Sequence, residues 1–290
     1  QANNQVKILS PQVLGKLHLE EESDLSEDVS PGQILTAVNE KPNLLAVTET
    51  GKVALIRWEF AGKQPGSIDR FLPTGLEKEK ILKVIKLPKV NNFSLCLLSS
   101  DGKFKRLAGN EVLELSGRSS TILKLKDGIS LKSAFLSKES DEIIIASDIG
   151  RVIKVKSDDI DTPVLGKLAQ GYSTMRLLPG ENIIGGVSCS KDEDNIPLFV
   201  SSIGKLNLIN SDCIRRSNRG CMGEIIIKLD KKESLVDICI CHNINSLVTN
   251  TGRTKRIHKQ SLISSNGKQE KFLVKLKEDE YIQKIIPLKT

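Results

Sequence analysis

Aromatic residues are scarce in this sequence of 290 residues: one Trp, two Tyr and seven Phe. Stacking platforms for unpaired bases are therefore poorly provided. Histidine is rarer still, at His18, His242 and His258, and none stands in a recognisable relation to a nucleophile. The six cysteines, Cys96, Cys189, Cys213, Cys221, Cys239 and Cys241, are spread along the chain rather than gathered into a small disulfide framework. Nothing resembles a secretory signal, so a reducing cytoplasm is the expected setting. No apolar run approaches the roughly 20 residues that span a bilayer, and no membrane contact is expected. Long amphipathic helical patterns are missing from the body as well.

Catalytic signals are equally thin. "GKLAQGYS", Gly166 to Ser173, has the glycine spacing of a phosphate-binding loop but places Tyr172 where that loop needs its lysine. "CICH", Cys239 to His242, sets two cysteines on one face of a strand without a second Cys or His pair at ligand spacing, which favours two buried strand cysteines over a zinc site. The carboxylate pairs Asp158 with Asp159 and Asp192 with Asp194 lie in polar, turn-like segments. No catalytic residue, metal or cofactor is expected, and a binding module is the leading class.

Charge is unevenly distributed. Net charge is +7, yet residues 1–43 hold three Lys or Arg against seven Asp or Glu, including "EEESDLSED" at Glu20 to Asp28. The remaining residues hold 40 basic side chains against 29 acidic ones. A basic body favours a polyanion through counterion release. The acidic leader reads as a solvated linker or as an internal competitor for the basic surface.

One pattern recurs five times: "LLAVTETGKVALIRW" from Leu44, "LCLLSSDGKFKRLAG" from Leu95, "IIIASDIGRVIKVKS" from Ile143, "LFVSSIGKLNLIN" from Leu198 and "SLVTNTGRTKRIHKQ" from Ser246. Its glycines, Gly51, Gly102, Gly150, Gly204 and Gly252, are spaced by 51, 48, 54 and 48 residues. Self-similarity near 50 residues points to a repeat architecture. A short Val, Ile and Leu run before the turn has the length and composition of a buried strand, and the Gly suits a tight hairpin. Further apolar stretches such as "ILKVIKL", "IIIKL" and "LVDICI" supply about two more strands per unit, the content of one propeller blade.

The cations are organised around the same turns. Alternation on a strand places Lys103 and Lys105 on one face, likewise Arg253 and Lys255, with Arg106 and Arg256 on the other. Inter-strand loops add Lys63, Arg118, Lys167, Arg215, Arg216, Arg219 and Lys268. Either exposed strands carry Lys for solubility and to block edge pairing, or the cations form a continuous positive rim suited to duplex backbone contact.

The unit of apolar strand, T-x-x-G-x-x-K-R and a loop with R-G-x-x-G (Arg219, Gly220, Gly223) resembles the repeat of the C-terminal domain of the A subunit of DNA gyrase and topoisomerase IV. The resemblance covers nearly the whole chain from Leu44 onward. It implies an all-β, propeller-like β-pinwheel of about five four-stranded blades, six being the alternative, with strands exchanged between blades and DNA bent around the edge. The repeats lie near 44–94, 95–142, 143–197, 198–245 and 246–290, and residues 1–43 correspond to the connector from a catalytic core. The family's cation pair, three and four residues after the glycine, is matched by Lys105 and Arg106 and by Lys255 and Arg256. Only Lys154 remains in the third unit; the first has Ala54 and Leu55, with Arg57 slightly later, and the fourth has Asn207 and Leu208. The DNA-contact set expected on this basis is Arg57, Lys63, Lys103, Lys105, Arg106, Arg118, Arg151, Lys154, Lys167, Arg215, Arg216, Arg219, Arg253, Lys255, Arg256 and Lys268. Lys105, Arg106, Lys255 and Arg256 rank first.

Gyrase carries a basic heptapeptide, Q-R-R-G-G-K-G, in its first blade. Here "AGKQPGS" at Ala61 to Ser67 lacks the arginine pair, "SNRGCMG" at Ser217 to Gly223 keeps Arg219, Gly220 and Gly223, and "SGRSSTI" at Ser116 to Ile122 is further from it. The partners that the resemblance implies are duplex DNA, the catalytic core and an ATPase B subunit. It also implies a nucleoid-associated cytoplasmic location, no cofactor in this domain, and a catalytic tyrosine outside this chain. "LAVTETGKVALIRW" is also similar to a blade of the regulator-of-condensation propellers, but that family repeats its Trp and Trp58 stands alone. A protein-interaction propeller, or a ring using its central channel for a small molecule, are the other readings.

Overall fold

The computed structural model of the chain describes residues 5–6, 43–57, 66–76, 78–115, 117–190, 195–263 and 272–288. His18, Trp58, Lys63, Asp192, Asp194 and Lys268 lie outside the described residues, as does most of the leader.

All five glycine turns fold alike. Gly51, Gly102, Gly150, Gly204 and Gly252 take φ of 81°, 78°, 84°, 85° and 86°, the left-handed region that only Gly enters without strain. Each donates its N–H to the carbonyl three residues earlier, on Thr48, Ser99, Ser147, Ser201 or Thr249. Those five hydroxyl residues are buried, and Thr48, Ser99 and Ser201 accept the N–H of Lys52, Lys103 and Lys205. A register shift occurs at the same five residues, where each strand meets its inner neighbour. Turn, cap and bulge together explain why Thr or Ser stands three residues before every glycine.

Each hairpin belongs to one antiparallel blade, and in blades one to four it forms the middle pair of strands. The hairpins are Leu44–Thr48 with Lys52–Leu55, Ser94–Ser99 with Lys103–Ala108, Glu142–Ser147 with Arg151–Lys156, Pro197–Ser201 with Lys205–Leu208, and Ile244–Thr249 with Thr254–His258. An inner strand from the same unit pairs with each first hairpin strand: Ile81–Lys86, Leu131–Ser137, Ile183–Cys189, Leu235–Ile240 and Ile282–Leu288. These inner strands contact one another in that order around the centre. On the outer edge, blades one to four each accept a two-residue strand from the following unit: Ser120–Thr121, Tyr172–Ser173, Glu224–Ile225 and Phe272–Leu273. The structure is the expected all-β pinwheel of five blades with strand exchange.

Because blades stack face to face, the hairpin strands are buried on both faces, which is why they read as unbroken apolar runs rather than alternating ones. Leu45, Val47 and Ile85 of blade one pack with Leu95, Leu97 and Leu107 of blade two. Similar clusters join blades two and three through Leu98, Phe104, Ile143 and Ile153, three and four through Ile144, Val152 and Phe199, and four and five through Leu198, Leu206, Leu247 and Ile285. Cys239 and Cys241 are buried in the last of these.

The seam between blades five and one is built differently. The other face of blade one, with Leu44, Ala46 and Ala54, is covered by its own Ile68, Phe71, Leu72 and Leu76. Periodicity assigns the exchanged strand of unit one, Gly66–Ser67, to the outer edge of blade five. It pairs instead with Gln5–Val6, and among the described residues blade five has three strands. Two residues of the acidic leader thus form part of a sheet rather than a free linker.

Candidate nucleic-acid interface

The cation pair ranked first in the sequence does not reach the surface in blade two. Lys105 is 0% exposed, and its Nζ donates to three backbone carbonyls, Ile122 O at 2.6 Å, Lys167 O at 2.7 Å and Ala169 O at 3.0 Å. Burial lowers its pKa to about 8, yet three acceptors at these distances call for the three N–H donors of the ammonium form. Arg106, on the opposite face, is 2% exposed and reaches Ser157 Oγ at 3.1 Å and Asp159 Oδ1 at 2.9 Å. Lys105 therefore ties two exchanged segments together, and Arg106 ties blade two to blade three.

Other members of the expected set are also internal. Lys154 is buried between Ser211 O at 2.9 Å and Glu142 Oε1 at 3.1 Å, and Arg151 is buried against Glu181. Arg256 is buried, and desolvation pushes its pKa down, and Arg253 pairs with Glu280 at 2.7 Å; Lys255, half-buried like Lys103 and Lys167, is not among these internal cations. The expectation that these side chains line an accessible rim is corrected by geometry. A strand between two stacked blades has no solvent face, so both alternating positions point into protein.

What the exchange loops carry is different. The segments leading into exchanged strands run along the outer hairpin strand of the preceding blade, with parallel bridges Arg106 to Val164 and Lys154 to Arg216. Two of these loops meet: Gly220 N–H donates to Thr174 O at 2.7 Å and Arg176 N–H to Cys221 O at 2.9 Å. Arg219 lies over the Tyr172 ring, 4.7 Å from its centroid, a cation–π contact that holds the guanidinium on the outer edge. Arg176, Arg215, Arg216 and Arg219 are exposed on this joined surface and Lys167 is half-buried. Carboxylates neutralise only part of it, through Asp161 on Arg216 at 2.8 Å and a loose Glu224 contact with Arg215 at 4.0 Å. Arg57 and Arg118 are exposed elsewhere on the ring, and Lys103, half-buried, stands opposite Ser173 beside this surface.

The loop closest to the gyrase heptapeptide, Ser217 to Gly223, belongs to this surface. Gly223, at φ 75°, sits where a Cβ would come within 2.8 Å of Val152 O, so no other residue fits without moving the backbone. Gly220, at φ 80°, has open space around it. Arg176 was not singled out in the sequence, because it follows an exchanged strand rather than a glycine turn.

Several known proteins are similar to this chain. The family described as DNA gyrase C-terminal domain, beta-propeller, matches residues 94–137, 141–190, 198–241 and 247–289. The A subunit of DNA gyrase from Ureaplasma parvum serovar 3 is 27% identical over 270 residues, covering 89% of this chain and 31% of that protein. The A subunit of DNA topoisomerase 4 from Synechocystis sp. is 28% identical over 148 residues, covering 48% of this chain and 16% of that protein. The chain thus spans about a third, or less, of the length of these relatives. A solved DNA gyrase A C-terminal domain superposes with a TM-score of 0.73 at 20% identity, over 96% of this chain and 94% of that one. A topoisomerase IV C-terminal domain gives 0.71 at 17%, over 85% and 79%. Four matched segments, together more than half of the chain and each coinciding with one blade, place it by descent as well as by shape: it belongs to the DNA gyrase C-terminal domain family.

Proposed function

We propose that this chain is the non-catalytic DNA-binding and DNA-bending domain of a bacterial type IIA topoisomerase A subunit. It guides duplex DNA along its outer edge toward a catalytic core that carries the nucleophilic tyrosine, with an ATPase B subunit in the holoenzyme and the nucleoid as its place of work. Residues 1–43 serve as the connector to that core and 44–290 as the DNA-binding ring.

The observation that carries this reading is the joined exchange-loop surface, where Arg176, Arg215, Arg216 and Arg219 are exposed with two carboxylate contacts among the described residues. Backbone-led binding of this kind needs cations on a convex edge and no base-reading element. Smoothly bending a short duplex costs about 1–6 kcal/mol, which phosphate contacts around the ring offset. Within the expected set, Arg57, Lys103, Arg118, Lys167, Arg215, Arg216, Arg219 and Lys255 are the contacts proposed among the described residues, and Lys63 and Lys268 extend them beyond. Lys105, Arg106, Arg151, Lys154 and Arg256 support the ring.

Titration of duplex DNA at several salt concentrations tests this. Wild type should bind with affinity falling steeply as salt rises, and Arg215→Gln with Arg219→Gln should lower the log–log slope by about 0.9 for each phosphate no longer neutralised. Salt-independent binding, or none at low ionic strength, refutes the proposal.

A further inference from the structure

The residue after each turn glycine is a cation in all five blades: Lys52, Lys103, Arg151, Lys205 and Arg253. Four of them meet a glutamate two residues before the inner strand of the same blade. Lys52 pairs with Glu79 at 2.6 Å, Arg151 with Glu181, Lys205 with Glu233 at 2.9 Å, and Arg253 with Glu280 at 2.7 Å. The side chains of Glu181, Glu233 and Glu280 are buried, so these cations are neutralised inside the fold.

Blade two breaks the rule. The backbone shows which residue takes the glutamate's place: Glu79, Glu181, Glu233 and Glu280 each donate N–H to the carbonyl three residues earlier, and Ile129 does the same to Lys126 O at 3.1 Å. The turn is preserved and its carboxylate replaced by an isoleucine. Lys103 is left half-exposed with no ion pair among the described residues, while Lys124 and Lys126 are exposed on the loop that delivers Ile129. Asp127, the only acid in that loop, is also without an ion pair among the described residues. Lys103 stands opposite Ser173 of the exchanged strand, and the adjoining Tyr172 carries Arg219 on its ring. The unneutralised turn therefore adjoins the exposed cationic surface.

We propose that the turn of blade two is a phosphate-contact site for duplex DNA, with Lys103, released from the ion pair that neutralises its four counterparts, as the contacting cation and Lys124 and Lys126 as flanking charges. This rests on the DNA-binding reading above and deepens it: one repeat unit has exchanged an internal salt bridge for an external anion. The absence of the carboxylate specifies the site, because a glutamate at position 129 would occupy the ammonium as it does in the other blades.

Restoring that glutamate is the test. Fluorescent duplex DNA would be titrated with the full chain at several salt concentrations, using Ile129→Glu, Lys103→Gln, the double variant, and Ile129→Gln as the neutral control. Ile129→Glu and Lys103→Gln should each weaken binding about three- to ten-fold at low salt and lower the log–log salt slope by about 0.9. The double variant should be no weaker than either single one, since the new carboxylate acts through Lys103, and Ile129→Gln should bind like wild type. Lys205→Gln, which removes a neutralised counterpart, should lower thermal stability and leave the slope unchanged. An unchanged slope in Lys103→Gln overturns the proposal, as does an Ile129→Glu effect that persists in full when Lys103 is absent. If Ile129→Glu fails to fold, Lys103→Gln against Lys205→Gln decides alone. Failure of wild type to bind duplex DNA at all is a distinct outcome, which overturns the broader reading.

Discussion

Lys105→Met separates a supporting cation from a contacting one. Methionine keeps the length of the buried stem and removes the three donors that hold Ile122 O, Lys167 O and Ala169 O. Each charge-assisted bond contributes about 1.5–3 kcal/mol net, and a buried carbonyl left unpaired costs about 1–3 kcal/mol. Against that loss, removing the charge recovers its desolvation cost. The lowered pKa of about 8 against the usual value near 10.4 puts that recovery at roughly 3 kcal/mol. Three bonds less that recovery leave a destabilisation of about 2–6 kcal/mol, which for a chain of this size lowers Tm by roughly 5–20 °C. Thermal unfolding and urea titration measure it. DNA titration well below the lowered Tm should return the wild-type salt slope, because a fully buried ammonium that holds three carbonyls has no donor left for phosphate. A slope lowered by about 0.9 with Tm unchanged would refute the reasoning and return Lys105 to the contact set.

Three further outcomes follow from the same geometry. Gly51→Ala puts a Cβ 2.2 Å from Leu123 O, whereas Gly252→Ala meets nothing within 4 Å among the described residues; urea unfolding should show a loss of about 3 kcal/mol or more for the first and about 1 kcal/mol, the left-handed strain alone, for the second. Asp237, held by burial at a pKa of about 6, accepts the Ile285 N–H near Lys83 and Lys284. A carboxyl whose pKa is raised in the fold stabilises most below its unfolded pKa and loses that contribution as pH rises through about 6, so the stability of Asp237→Asn relative to wild type should rise by about 2 kcal/mol between pH 4 and 7. Arg106→Gln removes the bond to Asp159 and the link to Ser157; it should lower Tm by several degrees while leaving the salt slope intact, and a slope change without loss of stability would contradict its structural role.

The hairpins were legible in the sequence because their signals are local. A glycine at positive φ, a hydroxyl three residues earlier and a short apolar run are each fixed within ten residues of chain. The fate of the cations was not legible by the same means. Lys105 is held by carbonyls 17, 62 and 64 residues away, and a K-R pair on a strand reads the same whether the strand faces water or another blade. The signal that separates the two cases is a second periodicity: Glu79, Glu181, Glu233 and Glu280 follow their cations by 27, 30, 28 and 27 residues. Its interruption at Ile129 marks blade two as the exception.

The turn glycines also report how the blades are joined. A side chain at Gly51, Gly102, Gly150 or Gly204 would strike the exchanged chain of the next unit, at Leu123 O, Met175 O, Ile227 O or Val274. The carbonyls of those same glycines accept N–H bonds from Ile122, Thr174, Ile226 and Val274. Each is therefore a glycine for two reasons, its φ and the chain that crosses it. Gly252 keeps the first reason and lacks the second among the described residues, and the strand that periodicity would bring over it, Gly66–Ser67, is paired with Gln5–Val6. The five units are thus equivalent in their turns but not in their outer edges. Four edges are occupied by the next unit, while the strand due at the fifth pairs with Gln5–Val6, so the outer edge of the last blade is the one position where the repeat does not hand its strand to its neighbour.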